Sequence, residues 1–217
     1  MTKLSLTILI SSLLAAAPAL AAPTTWDIDS AHSVASFSIK HMMVSTVRGQ
    51  FGKMTGTVTM DGNNVKTAMV DATVDASTID THEPKRDGHL KSPDFFDVAK
   101  FPNLTFKSTK VEVAANGAIK LHGDLTIHGI TKAVAFDVQP LSKEYKNLAG
   151  VMVVGTSATT KINRKDFGLT WNKPLEAAGG VLVGDEVTVN LDLELDKKGA
   201  APGADGAAKP AAMPVKK

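Results

Sequence analysis

From residue 34 to residue 195 the chain alternates apolar and polar positions, segment after segment, as strands with one buried face do. Val34–His41 sets Ala35, Phe37, Ile39 and His41 against Ser36, Ser38 and Lys40. Residues 68–76 oppose Ala68, Val70, Ala72, Val74 and Ala76 to Asp71, Thr73 and Asp75. Ile119–Ile127 turns Ile119, Leu121, Leu125 and Ile127 away from Lys120, His122, Asp124 and Thr126. Val187, Val189, Leu191, Leu193 and Leu195 oppose Thr188, Asn190, Asp192 and Glu194. Within residues 104–113 the phase set by Leu104 and Phe106 shifts to Val111 and Val113. Residues 47–60 (a run broken by glycines), the trio Val134, Phe136 and Val138, and residues 148–162, apolar on both faces, bring the strands to eight.

The connections carry turn chemistry. Asp61-Gly62-Asn63-Asn64, Asn116-Gly117 and, more weakly, His128-Gly129 supply residues that tolerate positive φ. Eight antiparallel strands with one apolar face each must pair as a sandwich or close into a barrel. Glycines in mid-strand (Gly49, Gly52, Gly56, Gly123 and Gly155) suit the bends and bulges of closure. One segment, residues 80–102, breaks the alternation. Asp80 or Thr81 can cap a short helix with Pro84 in its first turn, and Ser92, Pro93 and Asp94 fit the start of a second. Phe95, Phe96, Phe101 and Phe106 put four of the eight phenylalanines into twelve residues in and just after it, so the insertion is expected to lie over a sheet or a barrel mouth.

Composition changes the picture mainly at the ends. Of 217 residues 43% are hydrophobic and 21% charged, ordinary for a globular protein. Residues 1–21 carry Lys3, an apolar run and then small residues with Ala19 and Ala21 at A-x-A spacing, the layout of a signal peptide cut after Ala21. The expected location is the periplasm. Residues 197–217 are rich in Lys, Ala, Gly and Pro and read as a disordered tail. That tail holds five Lys and one Asp, so removing it and Lys3 from the formal net charge of +2 leaves −3 for residues 22–196, the folding unit. The basic character thus belongs to the tail, which fits weak contact with a membrane surface and leaves no nucleic-acid patch in the fold. The absence of cysteine rules out disulfides, thiol catalysis and Cys-ligated metals.

The search for catalytic chemistry yields little. His82-Glu83 opens like a zinc-protease helix, but Pro84 follows and Arg86 occupies the second ligand position. His122 and His128 share a strand face about 20 Å apart, too far to hold one metal. No G-x-S-x-G elbow, P-loop or G-x-G-x-x-G occurs. His32, His41, Arg86, Asp87 and His89 remain, and an ordering role in the structure outweighs a chemical one for each. No catalytic residue, metal site or cofactor is therefore expected.

Nine blocks in order then carry a resemblance. They are Trp26–Ser33 (WDIDSAHS), Phe37–His41 (FSIKH), Val47–Phe51 (VRGQF), Ser77–Thr81 (STIDT) and Arg86–Asp97 (RDGHLKSPDFFD). Phe101–Ser108 (FPNLTFKS), Gly123–Lys132 (GDLTIHGITK), Asn163–Gly168 (NRKDFG) and Gly184–Val187 (GDEV) complete the set. Together they resemble the YceI-like, or polyisoprenoid-binding, family of bacterial periplasmic proteins over about Thr24 to Asp196, the tail lying outside. The resemblance implies an all-β fold, a lipocalin-like eight-stranded antiparallel β-barrel with a short helical insertion, whose elongated apolar pore holds a long-chain isoprenoid or similar amphiphile without catalysis. It associates the chain with transport and stress response.

The combined expectation is a periplasmic lipid carrier driven by alkyl-chain burial. Phe37, Ile39, Phe51, Phe95, Phe96, Phe101, Phe106, Phe136, Met152 and Phe167 are its candidate lining, and Arg86, His89 and Arg164 its candidate head-group contacts. Each apolar candidate has ordinary core packing as its alternative, because small barrels fill their interiors with side chains. The rivals are a periplasmic hydrolase-type enzyme using Asp87 and His89, and a ligand-free stress-protective barrel. A homodimer is compatible with the pattern, which assigns no exposed apolar stripe to it.

Overall fold

The computed structural model describes residues 23–175 and 179–199. The expected signal peptide, and the tail beyond residue 199, lie outside the described residues. The elements are β1 (Thr24–Ile28), β2 (Val34–His41), β3 (Ser45–Phe51), β4 (Met54–Met60), β5 (Met69–Asp75), β6 (Ile79–Asp80), α1 (Pro84–Lys91), β7 (Asn103–Val113), β8 (Ile119–Ile127), β9 (Ile130–Val138), β10 (Tyr145–Lys146), β11 (Met152–Asn163) and β12 (Val183–Lys197). Single-turn 3₁₀ helices occupy Val65–Thr67, Ala76–Thr78 and Arg164–Phe167.

The strands form one sheet whose successive members pair antiparallel, and pairing of β12 with β11 and with β1 and β2 closes it. β1 with β2, and β3 with β4, act as two long strands bent at residues 29–33 and 52–53, since β1 pairs with β4 and β2 with β3. With the two-residue β6 and β10 as edge additions, the result is an eight-stranded up-and-down barrel. The long β11–β12 ladder runs unbroken from Val153↔Asp196 to Asn163↔Glu186. Pairing of β9 with β11 is confined to Ala158↔Val138 and Thr159↔Asp137. Around that short seam the Thr160 and Thr156 hydroxyls donate to the carbonyls of Ala135 and Gln139, both at 2.7 Å.

The phase change between Phe106 and Val111 is a β-bulge. The β7–β8 register slips between Ser108 and Lys110, so Leu104 and Phe106 before it and Val111 after it all face inward. Gly49 and Gly123 have a different job from the bends expected of them. A Cβ at Gly49 would meet the Phe37 ring and the Thr81 methyl group, and one at Gly123 would meet the Phe106 ring and the Lys107 carbonyl. Each absent side chain makes room for a phenylalanine lying across the sheet. His128 (φ 51°) and Gly129 (φ 74°) form the two-residue turn joining β8 to β9, as expected.

The structure differs from the sequence reading in four places. Trp26 begins the barrel rather than preceding it: β1 buries this residue fully in one core group with Ile28, Val58, Met60 and Leu195. The helix cap is Glu83, whose carboxylate accepts from the Lys85 and Arg86 N–H groups, with Pro84 at the first helical position. No second helix starts at Ser92; the Ser92 hydroxyl instead donates to the His89 carbonyl and residues 93–96 turn back. Hydrogen bonds from Phe96 to Leu90 O and from Val98 to Lys91 O fold the chain against the end of α1, which a continuing helix would forbid. At the other end β12 continues through Lys197, which pairs with Trp26, places its ammonium 5.2 Å from the indole centroid and contacts Glu144.

Candidate functional site

The inward faces of the strands enclose an elongated apolar cavity of about 220 Å³. On β12 it is lined by Val187, Val189, Leu191, Leu193 and Leu195, and on β5 by Val70, Ala72 and Val74, the alternating sets legible in the sequence. Val187 to Leu195 is eight residue steps, or about 26 Å of strand at 3.3 Å per residue. An eight-stranded barrel is just wide enough to be filled by its own side chains or to hold one small ligand. Here Ala35, Ala68, Ala72 and Ala158 stand where larger residues would close the space, and the interior stays open.

Six of the apolar candidates line this cavity: Phe37, Phe51, Phe96, Phe106, Phe136 and Phe167. Phe106 and Phe136 meet edge to face at 5.4 Å, and Phe37, Phe51 and Phe96 form a chain with centroids 5.8 and 5.7 Å apart. Phe96 comes from the insertion and packs against the buried groups around Phe51 and around Phe106 and Phe136, so it covers the cavity. Its neighbour Phe95 points elsewhere. That ring is buried against Trp171 at 5.3 Å and against His89 at 5.0 Å, outside the cavity lining.

Phe101 meets His128 edge to face at 4.6 Å, Ile39 continues the inner phase of β2 past the cavity, and Met152 sits at the start of β11 opposite Lys146. None of these three is a lining residue. Sequence reasoning passed over several that are, among them Ile28, Met54, Val58, Met60 and Leu141. The glycine breaks in residues 47–60 hid the phase of β4, whose Met54, Val58 and Met60 are all buried.

The polar candidates are engaged with the protein itself. The Arg86 guanidinium donates to the Thr81 hydroxyl and carbonyl, both at 2.8 Å, while Asp87 accepts from the Thr81 N–H and hydroxyl, lashing α1 to β6. His89 Nε2 bonds Asp94 at 2.8 Å and its ring lies edge-on to Trp171. Arg164, 3% exposed, is the one charged side chain among the lining residues. It donates to the carbonyls of Leu169, Trp171 (2.9 Å), Val183 (3.4 Å) and Gly184 (2.8 Å) and to Asp185 (3.3 Å). These bonds tie the 3₁₀ turn at Arg164–Phe167 to the start of β12 and close that end of the barrel. Burial holds the Arg164 pKa below its usual value, with Asp185 opposing the shift.

A separate acidic cluster lies where β1 bends into β2. His32 Nδ1 bonds Asp29 at 2.6 Å and approaches Glu194 at 3.8 Å. The hydrogen bond to Asp29 raises the His32 pKa, and the same bond lowers that of Asp29. Burial raises the pKa of nearby Asp196, and Asp29 adds to the shift. The Asp29 contribution to stability is present above the unfolded carboxylate pKa and is lost as pH falls through the depressed folded value. The His32 contribution is complete below the unfolded imidazole pKa and is lost as pH rises through the raised folded value. Both are intact between roughly pH 4 and 6.5. The expected result is a shallow optimum of Tm in that window, flattened in His32→Gln. An unchanged profile in that variant, followed by circular dichroism, contradicts the assignment.

A family model described as the YceI-like domain matches residues 26–195. A UPF0312 protein of Staphylococcus aureus strain MSSA476 is 39% identical over 171 residues, covering 79% of this chain and 96% of that protein. The crystal structure of the Campylobacter jejuni YceI protein superposes with a TM-score of 0.61 at 29% identity, over 73% of this chain and 90% of that one. A polyisoprenoid-binding domain from Saccharophagus degradans shares the fold with a TM-score of 0.56 at 16% identity, over 79% of this chain and 98% of that one. With a closed eight-stranded barrel, an aromatic-roofed cavity and a family match spanning β1 to β12, the chain belongs to the YceI-like family.

Proposed function

We propose that the protein is a non-catalytic periplasmic carrier for an isoprenoid or other long-chain amphiphilic lipid. The observation that supports this most directly is the cavity: elongated, enclosed by strands and lined almost wholly by apolar side chains. Such a space recognises an alkyl or prenyl chain through burial alone, worth about 0.8 kcal/mol per methylene, and offers little to a polar substrate. The polyisoprenoid-binding domain of Saccharophagus degradans builds on the same fold. The periplasmic assignment rests on the N-terminal pattern of residues 1–21. The enzyme reading loses support from position, since neither Asp87 nor His89 lines the cavity and both are bonded within the insertion.

Native mass spectrometry of the protein purified from the periplasm of its host tests the proposal. The expected spectrum shows the mature chain, beginning at Ala22, with an adduct of lipid mass that organic extraction removes. A mature chain that is repeatedly free of any adduct, and that takes up no added prenyl lipid, overturns the carrier reading. A full-length chain retaining residues 1–21 overturns the export reading.

A further inference from the structure

We propose that the tip of the β2–β3 hairpin docks the protein on an anionic bilayer surface. The inference rests on the carrier reading in one respect, that a lipid cargo has to be collected from or delivered to a membrane. Its geometry stands separately. Met42, Met43 and Val44 follow one another at the tip and are 44%, 69% and 84% exposed, and Val181 beside them is 37% exposed. Met43 Sδ lies 2.9 Å from where a Cβ on Gly180 would stand, so the hairpin tip and the 180–181 segment form one patch. Three consecutive exposed large apolar residues are not what a freely soluble loop carries.

The backbone sharpens the point. The turn is closed by the Val44 N–H donating to the His41 carbonyl, and both central residues are left-handed, Met42 at φ 51° and Met43 at φ 61°. Asn-Gly adopts that conformation without strain, whereas methionine does not. Bulky apolar side chains are thus kept at two positions where the backbone alone disfavours them.

The surrounding charges identify the partner. Lys40 and Arg48 are exposed on the same hairpin and are diagonal neighbours, since Lys40 pairs with Thr46 and Ser38 with Arg48. Lys173 adjoins the tip through Leu182, whose N–H donates to Lys173 O and whose carbonyl accepts from the Met42 N–H. Among the described residues none of these three cations forms an ion pair, while Asp185 and Glu186 nearby are matched by Arg164, Lys165 and Lys161. A convex apolar knob flanked by exposed cations complements a bilayer, with methionine and valine entering the hydrocarbon boundary and the cations resting among anionic head groups. A second copy meeting the same tip would set like charges against like. The knob also sits at the end of the barrel where Trp171 holds His89 and Phe95, next to the cavity-lining Phe96.

Co-sedimentation of the full chain with phosphatidylcholine vesicles, with and without phosphatidylglycerol, tests the docking. Binding is expected with the anionic vesicles, weakening as salt rises. Met42→Asn with Met43→Gly, which suits the existing turn, is expected to keep or raise Tm while binding falls about tenfold or more. Lys40→Glu with Lys173→Glu is expected to remove the preference for phosphatidylglycerol. Equal binding by the hairpin variant and the parent overturns the proposal. So does a hairpin variant that turns a dimer into a monomer in size exclusion with vesicle binding unchanged. Native mass spectrometry of the same samples keeps the two readings apart: lipid inside a protein that ignores vesicles sinks the docking alone, and docking by a protein with no interior lipid sinks the carrier alone.

Discussion

Arg164→Ala is expected to destabilise the barrel by about 4 kcal/mol, the largest loss from any single polar side chain here. The guanidinium is 3% exposed and satisfies four carbonyls and Asp185, drawn from residues 169, 171 and 183–185. Alanine would strand these acceptors in a closed end of the barrel that water enters poorly, and each orphaned group costs about 1–3 kcal/mol. For a domain of this size the loss corresponds to a Tm lower by about 10 °C, read by circular dichroism. Arg164→Lys keeps the charge but lacks the planar fork that reaches several carbonyls at once, so an intermediate loss is expected. The same pair of variants separates structure from ligand contact. If Arg164→Ala melts within about 2 °C of the parent yet no longer holds lipid, the residue serves a head group and its structural role is refuted.

The contrast between Arg164 and the strand faces shows where the sequence is informative. The alternations of β5, β8 and β12 identify inward residues directly, because a strand buried on one face repeats every two residues whatever its partners are. Even the bulge in β7 is legible, as the phase slip from Phe106 to Val111. Arg164 is different. Nothing near it in the chain distinguishes it from the exposed Lys161 or Lys165, and its acceptors include groups about twenty residues downstream. Only closure of the barrel brings them together. For Arg86 and His89 the sequence supports an ordering role over a chemical one, and the fold supplies the partners it does not name, Thr81 and Asp94.

Phenylalanines divide in the same way. Phe95 and Phe96 are adjacent and chemically identical, yet Phe96 turns into the cavity and Phe95 onto Trp171. The reversal after Ser92 decides this, through hydrogen bonds from Phe96 N–H to Leu90 O and from Val98 N–H to Lys91 O. A helix starting at Ser92, as the local residues allow, would have given the pair another orientation. The cavity itself is a property of size rather than pattern. Four inward alanines preserve the period that larger apolar residues would also satisfy, so alternation predicts the wall and says nothing of the space behind it.

Ala158→Phe is accordingly expected to abolish most lipid binding while leaving the fold intact. Ala158 is 7% exposed, pairs in register with Leu191 and Val138, and presents its methyl group to the cavity. A phenyl ring there enters existing space, so the overpacking that a dense core would suffer is avoided, and added apolar contact holds or raises Tm. The ring and a lipid chain compete for the same volume. Displacing about three methylenes removes about 2.4 kcal/mol of burial, close to a sixtyfold loss of affinity. Lipid occupancy read by native mass spectrometry, beside Tm by circular dichroism, measures both sides of this expectation. Loss of lipid together with an unfolded chain would point to collapse, and the smaller Ala158→Leu then decides, being expected to fold and to weaken binding by a lesser factor. Undiminished occupancy in a folded Ala158→Phe would mean that the lipid chain does not thread the cavity where Ala158 lines it, and the carrier mechanism would have to be placed outside the barrel.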